Sequence, residues 1–275
     1  MSKLKVALQI GAIDKFIKED PDGTLKYLKD IGYDYVEIGS YPEDAAAFKA
    51  MLDKYELGVI SGHLGIENFE ANPEKFISDC KTYGLKYFVN GYIDIWHLKG
   101  HPGEDEMREK LLASTKVFKE NGIGFLHHNH TYEFHRHEGK FCFDWLIEEV
   151  SPELLHPQID TGWVRFCGYD PAEMLKHYAG MVEVVHLKDF KSVKYSKDDE
   201  FIPLDQPKFD YDHSDTDESF TFTPIGYGVQ DFEKIIKTAE ELGTEMVVVE
   251  QDSSKEMSLL EAAKLSREYL LSLGI

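Results

Sequence analysis

Val182-Glu183-Val184-Val185-His186-Leu187-Lys188-Asp189 is an apolar, β-type run that ends in a metal-capable side chain. Three other runs end the same way: Phe125-Leu126-His127-His128-Asn129-His130, Gln158-Ile159-Asp160-Thr161 and Met246-Val247-Val248-Val249-Glu250. Parallel strands gather their C-terminal ends on one face of a sheet or barrel. Polar ends on consecutive strands therefore meet in space. A convergent set of His, Asp and Glu binds divalent metals. One such strand end means little, and four in order make this chain an enzyme candidate.

Working outward, the chain alternates strand and helix. The strands read as Lys5–Ile10, Tyr35–Ile38, Gly58–Ser61, Tyr87–Asn90, Gly124–His128, Pro157–Asp160, Glu183–His186 and Glu245–Glu250. Helical stretches fall near 22–31, 42–55, 73–83, 104–121, 142–150, 171–179, 230–242 and 254–272. Asn72-Pro73 and Asp170-Pro171 are helix starts, with a capping side chain followed by Pro at the first helical position. Gly32, Gly84, Gly122 and Gly243 stand where a helix must stop. Eight β/α units with short connections predict an α/β fold, a (β/α)8 TIM barrel, as one domain over 1–275. A doubly wound sheet is the competitor, but no GxGxxG follows the first strand. One long irregular segment, about 190–226, is polar, acidic and aromatic, as in Tyr211-Asp212-His213-Ser214-Asp215. Its length predicts a lid over the site or an oligomer contact.

Composition narrows the function. A chain of 275 residues suits one large α/β domain. No apolar run approaches the roughly 18–20 residues of a membrane helix. Met1-Ser2-Lys3-Leu4-Lys5 leads straight into the first strand without a signal-peptide core, so a cytoplasmic location is expected. The formal charge is −21, from 51 acidic and 30 basic residues. That field repels phosphate backbones and anionic membranes. A small-molecule substrate is expected, not nucleic acid or membrane; a homo-oligomer stays open. Cys80, Cys142 and Cys167 lack CxxC spacing and read as reduced, mostly buried thiols.

Strand five is dense in candidates. Alternation puts His128 and His130 on one face and His127 with Asn129 on the other, so at most half of them reach the site. Glu37 and His63 stand at or just beyond the ends of earlier strands, where each touches substrate or makes a structural hydrogen bond. Trp163, with Trp96 and Tyr92, offers an apolar wall for a sugar ring. Lys188 pairs with a neighbouring carboxylate or stabilises an oxyanion.

These residues resemble the xylose isomerase-like TIM barrels, a superfamily of sugar isomerases, epimerases and inosose dehydratases that includes AP endonuclease-type repair enzymes. The resemblance covers essentially the whole chain. It is most specific in His128-Asn129-His130-Thr131-Tyr132-Glu133-Phe134, Ile159-Asp160-Thr161-Gly162-Trp163, His186-Leu187-Lys188-Asp189 and Val249-Glu250-Gln251-Asp252. It implies one divalent ion (Mn, Mg, Co or Zn) held by Glu133, Asp160, His186 and Glu250. Many relatives carry Glu on strand five itself where this chain has His128, so a direct His128 ligand is the alternative to Glu133. With that metal, Glu250 and one of Glu133, His128 or His130 are the expected acid–base pair, and Glu37, His63, Trp163 and Asp252 are the expected substrate contacts. The implied reaction is sugar or sugar phosphate isomerisation or epimerisation through an enediolate. A lyase acting on a keto-inositol or 3-keto-glycoside is the rival, and a non-catalytic sugar-binding barrel is the third reading. Trp163 stands where the multi-zinc nucleases carry a histidine, which argues against a nuclease.

Overall fold

Eight parallel strands pair in sequence order and close on themselves: β1 (Lys5–Gln9), β2 (Tyr35–Ile38), β3 (Gly58–Leu64), β4 (Tyr87–Asn90), β5 (Gly124–His128), β6 (Leu155–Asp160), β7 (Val184–Leu187) and β8 (Met246–Val249). Closure is direct, with Lys5 opposite Met246 and Leu8 opposite Val249. The expected TIM barrel is therefore the observed fold. The computed structural model describes residues 4–40, 44–206 and 219–275. Among the described residues no helix is long and apolar enough to cross a membrane.

Alternation along the strands makes two cores. Ala7, Ile60, Val89, Leu126, Val184, Met246 and Val248 form a small cluster inside the barrel. Val36, Phe88, Phe125, Ile159, Val185 and Val247 face the other way, into the larger cluster shared with the helices. There Phe88 stacks on Phe118 of the helix Glu104–Glu120, with ring centroids 4.6 Å apart. Both rings are fully buried, and truncating either to Ala would cost about 3–5 kcal/mol.

Helix boundaries follow local chemistry. Asn72 accepts from Lys75 N at 3.2 Å, and Asp170 accepts from Ala172 N at 2.9 Å, each just before a Pro at the helix start. Gly84 and Gly243 end their helices with φ of 70° and 80°, a conformation that costs a residue with a Cβ. Short helices at Asp14–Glu19, Ile66–Ala71 and Thr161–Phe166 add to the eight expected. The helix expected over 42–55 is seen as Ala45–Lys54, and 41–43 lie outside the described residues.

Strand β3 runs three residues past its expected end and carries His63 within it. Val36 pairs with Val59, but Ile38 pairs with Gly62, so β3 holds one extra residue there. Such a bulge changes which face the following side chains take. Ile60 joins the interior cluster, and Ser61 and His63 then also point inward.

After β7 the chain forms a short antiparallel hairpin, Asp189–Lys191 with Thr221–Thr223. The part of the 190–226 segment up to Gln206 is strapped down. Arg165 Nη2 donates to Ser196 O at 2.6 Å, and Tyr169 Oη donates to Gln206 O at 3.2 Å. Tyr211 to Asp215 lie outside the described residues.

Candidate active site

The inward positions continue upward from the interior core at steps of two residues. Leu126 leads to His128, Val184 to His186 and Lys188, Val248 to Glu250 and Asp252, and Tyr35 to Glu37. On β6 the same step joins Gln158 to Asp160. His128, Asp160, His186 and Glu250 each offer a donor atom within 4.8 Å of the others, and all four are buried. His63, His128 and His186 form an overlapping group.

Lys188 Nζ stands 3.1 Å from Asp160 Oδ2, 2.9 Å from Glu250 Oε2 and 3.1 Å from Asp252 Oδ2. His186 bridges two carboxylates, with Nε2 2.6 Å from Glu37 Oε2 and Nδ1 2.9 Å from Glu250 Oε2. Glu37 Oε1 accepts from Ser61 Oγ at 2.6 Å and from Gln158 Nε2 at 2.9 Å. Gln158 Oε1 meets His128 Nδ1 at 2.9 Å, and His128 Nε2 is 3.5 Å from Asp160 Oδ2. Asn129 Oδ1 accepts from Asp160 N at 2.9 Å and ties β5 to β6.

Burial sets the starting point of every charge here, and neighbours correct it. Burial and the adjacent imidazoles push His128 well below the ordinary histidine value. Burial would lower His186 too, but the Glu37 and Glu250 carboxylates carry it up to about 10. Burial would raise Glu37, and the neighbouring imidazoles of His186 and His63 instead hold it well below the carboxylate range. Glu250 is likewise held low, by Lys188 and His186 against burial. Burial raises Asp160 in spite of Lys188. It also lowers His130 to about 4.

Glu133 does not reach this group. It lies in the short helical turn Tyr132–Phe134 after β5, fully buried, and folds back onto the outward-facing His127, with its Oε1 3.0 Å from His127 Nε2. Its Oε2 accepts from His130 N at 2.8 Å, which closes the turn after the strand. The resemblance placed Glu133 on the metal; the geometry puts His128 beside Asp160, His186 and Glu250 instead. Both oxygens of Glu37, expected at the substrate, are taken by Ser61, Gln158 and His186.

The remaining candidates line the mouth. The His63 ring is 4.6 Å from His128 and 5.2 Å from His186. The His130 ring is 5.1 Å from His128, 5.8 Å from Trp163 and 5.6 Å from Tyr92. Among the described residues His63 Nδ1, His130 Nδ1 and Trp163 Nε1 are buried with no hydrogen-bond partner, although His63 Nδ1 lies 3.6 Å from Glu37 Oε2. Phe222 of the hairpin meets Trp163 at 5.8 Å, and Lys188 Nζ is 5.4 Å from the Phe222 ring. Trp96 is 62% exposed and its ring meets His101, apart from this wall. Asp189 accepts from the backbone N–H groups of Phe190, Gly226, Gly228, Val229 and Gln230, at 2.8–3.3 Å. It anchors the return of the long segment and makes no pair with Lys188. Sequence reading passed over Gln158 and Ser61. Gln158 was legible, because it shares a strand face with Asp160. Ser61 was not, because only the bulge turns it inward.

A family model for the xylose isomerase-like TIM barrel matches residues 25–273. The chain belongs to that family. Among curated members, this xylose isomerase-like barrel is 26% identical over 266 residues to the inosose dehydratase of Clostridium tetani, covering 87% of this chain and 85% of that enzyme. It is 25% identical over 195 residues to the inosose dehydratase of Geobacillus kaustophilus, covering 62% of each chain. A sugar phosphate isomerase/epimerase from Parabacteroides distasonis superposes with a TM-score of 0.76 at 19% identity, over 98% of this chain and 94% of the other. That likeness is one of fold.

The donor set suits a divalent ion. Donors at about 2.0–2.3 Å from one ion stand at most about 4.6 Å apart across it. The four donors here already lie within 4.8 Å of one another. Asp160 Oδ1 is used by the N–H groups of Gly162 and Trp163, while its buried Oδ2 has no hydrogen-bond partner among the described residues and faces Lys188 Nζ at 3.1 Å and His128 Nε2 at 3.5 Å. Mixed carboxylate and imidazole donors are those that Mn, Co and Zn accept.

Proposed function

We propose that this barrel is a divalent-metal-dependent enzyme that removes the proton beside a carbonyl of a polyhydroxylated substrate, a sugar or a cyclic polyol ketone. The convergence of His128, Asp160, His186 and Glu250 carries this reading. These four would hold the ion. When bound, the ion supplies Lewis-acid polarisation of the carbonyl and its neighbouring hydroxyl.

The rest is the work of this chain's own side chains. His63 and His130 flank His128; His130 Nδ1 is buried without a hydrogen-bond partner among the described residues, and His63 Nδ1 faces Glu37 Oε2 at 3.6 Å. Burial holds His130 at about 4, so at neutral pH it is an unprotonated imidazole that can accept a proton at Nδ1. Lys188 brings a fixed positive charge toward negative charge developing on the substrate. Trp163, Tyr92 and Phe222 form an apolar wall at the mouth and exclude water from one side of a ring.

Returning the proton at another position or on the opposite face gives isomerisation or epimerisation. Two imidazoles, at His63 and His130, suit that exchange. Dehydration is the second reading, favoured by the similarity to inosose dehydratases. It needs a hydroxyl on the carbon beside the deprotonated one: the electron pair left by the proton forms the new double bond, and the hydroxyl leaves as water with a proton returned from the side chain that took it.

The test is incubation of the metal-loaded protein in deuterium oxide with a panel of keto sugars and cyclitol ketones. Deuterium entering beside the carbonyl is the expected result, and water loss from a cyclitol ketone selects the second reading. A loaded protein that exchanges no deuterium into any panel member, and whose His130→Ala variant binds the same ligands unchanged, is a binding barrel.

A further inference from the structure

One carboxylate lies beneath the candidate metal ligands and touches the machinery of both histidines. Glu37 is fully buried and an ionised carboxylate only accepts hydrogen bonds. Its Oε1 lies 2.9 Å from the Gln158 amide, so the amide atom facing it is the NH2 nitrogen. The amide oxygen of Gln158 then faces the other way, 2.9 Å from His128 Nδ1. That oxygen needs a donor, so His128 carries its proton on Nδ1. Its Nε2 is left with a lone pair on the side of Asp160, 3.5 Å away.

The same carboxylate acts directly on the second histidine. Glu37 Oε2 stands 2.6 Å from His186 Nε2, which must donate. The other nitrogen, Nδ1, faces Glu250 Oε2 at 2.9 Å and donates to it until a cation takes that place, whereas Glu37 keeps the proton on Nε2. Ser61 Oγ donates to Oε1 at 2.6 Å, and His63 Nδ1 stands 3.6 Å from Oε2.

We propose that Glu37 fixes the tautomers of two histidines at once, so that His128 presents Nε2 and His186 presents Nδ1 to a shared cation. Glu37 is a positioning residue: it acts on His186 by contact and on His128 through Gln158, spanning the barrel from β2 to β6. The assignment rests on the metal reading above. A histidine ligand donates its second nitrogen to a carboxylate or carbonyl in most metal sites, and loss of that partner costs about 10–100-fold in affinity. Here one carboxylate serves two ligands, so a single substitution releases both.

The test uses the whole protein with 15N-labelled histidine, titrated with zinc chloride and read by long-range 1H–15N correlation of the imidazole rings. His128→Asn and His186→Asn spectra assign the two rings. Without zinc the expected pattern is a proton on His128 Nδ1 alone and protons on both His186 nitrogens, which face Glu37 and Glu250; zinc should shift His128 Nε2 and displace the proton from His186 Nδ1 while Nε2 keeps its own. Glu37→Gln should weaken zinc binding by about 10–100-fold and mix the His128 tautomers. Gln158→Leu should disturb His128 and leave His186 as in the parent, and it serves where Glu37→Gln does not fold. A proton on His128 Nε2, or unchanged zinc affinity in a folded Glu37→Gln, overturns the proposal. If zinc shifts neither ring, the metal reading falls separately. The zinc-free spectrum then decides Glu37 on its own: His128 Nδ1–H upholds the assignment and Nε2–H overturns it.

Discussion

Lys188 Nζ lies 2.9 Å from Glu250 Oε2, the same oxygen that faces His186 Nδ1 at 2.9 Å. The ammonium therefore neutralises a group that would also serve a metal ion. Asp160 Oδ2, at 3.1 Å, shares it.

Replacing Lys188 by Met should have two opposite effects. Removing one partner of a buried charge pair costs about 3–5 kcal/mol, so the metal-free variant should melt earlier than the parent. A divalent ion should then bind more tightly, because the competing cation is gone. Thermal melts with and without added zinc check both. An equal or smaller zinc-dependent shift in the variant would show that Lys188 does not compete.

Metal occupancy separates the two strand-five candidates. His128→Asn should lose metal, and Glu133→Gln should keep it, because Glu133 is turned to His127 and His130 N. Both variants are compared at equal added metal. The reverse outcome would restore Glu133 as the ligand.

The bottom of the barrel predicts a pH dependence. His156 Nδ1 is 2.8 Å from Glu183 Oε1, and that hydrogen bond raises the imidazole above its ordinary value of 6.5. A folded-state value above the unfolded one stabilises where the group is protonated in the fold. The contribution is therefore full below about 6.5 and is lost as pH rises through the raised value. His156→Gln should melt below the parent at pH 6, and the gap should narrow at higher pH. A gap that is constant with pH would exclude this linkage.

Asp189 carries a structural load next to the site. Burial pushes its carboxyl up to about 6, although five backbone N–H groups point at it. Asp189→Asn turns one acceptor oxygen into a donor facing those N–H groups. Each donor left without a partner costs about 1–3 kcal/mol. A chemical denaturation curve should shift to lower denaturant, and protease should cut the 190–226 segment faster. Parent-like stability would mean that the loop finds another acceptor.

Much of this molecule was legible as local pattern. The Asn-Pro and Asp-Pro helix starts and the Gly stops bounded the units, because capping and left-handed backbone are decided within a few residues. The four apolar runs ending in His128, Asp160, His186 and Glu250 gave strands whose last inward residues converge. Alternation alone separates His128 and His130 from His127, since a strand's side chains repeat every two residues.

Sequence alone thus determined the barrel and the four strand ends that meet at its mouth. Tertiary structure decided what each polar group touches there. Glu133 follows His128 closely in sequence, yet it folds back to His127 on the opposite face. Ser61 and His63 turn inward only because β3 carries an extra residue against β2. Glu37 meets Gln158 across the width of the barrel, a contact set by how β2 and β6 face each other in the closed sheet. Period and capping are properties of neighbouring residues. Register, bulges and cross-barrel hydrogen bonds depend on residues far apart in the chain, and they exist only once the sheet has closed.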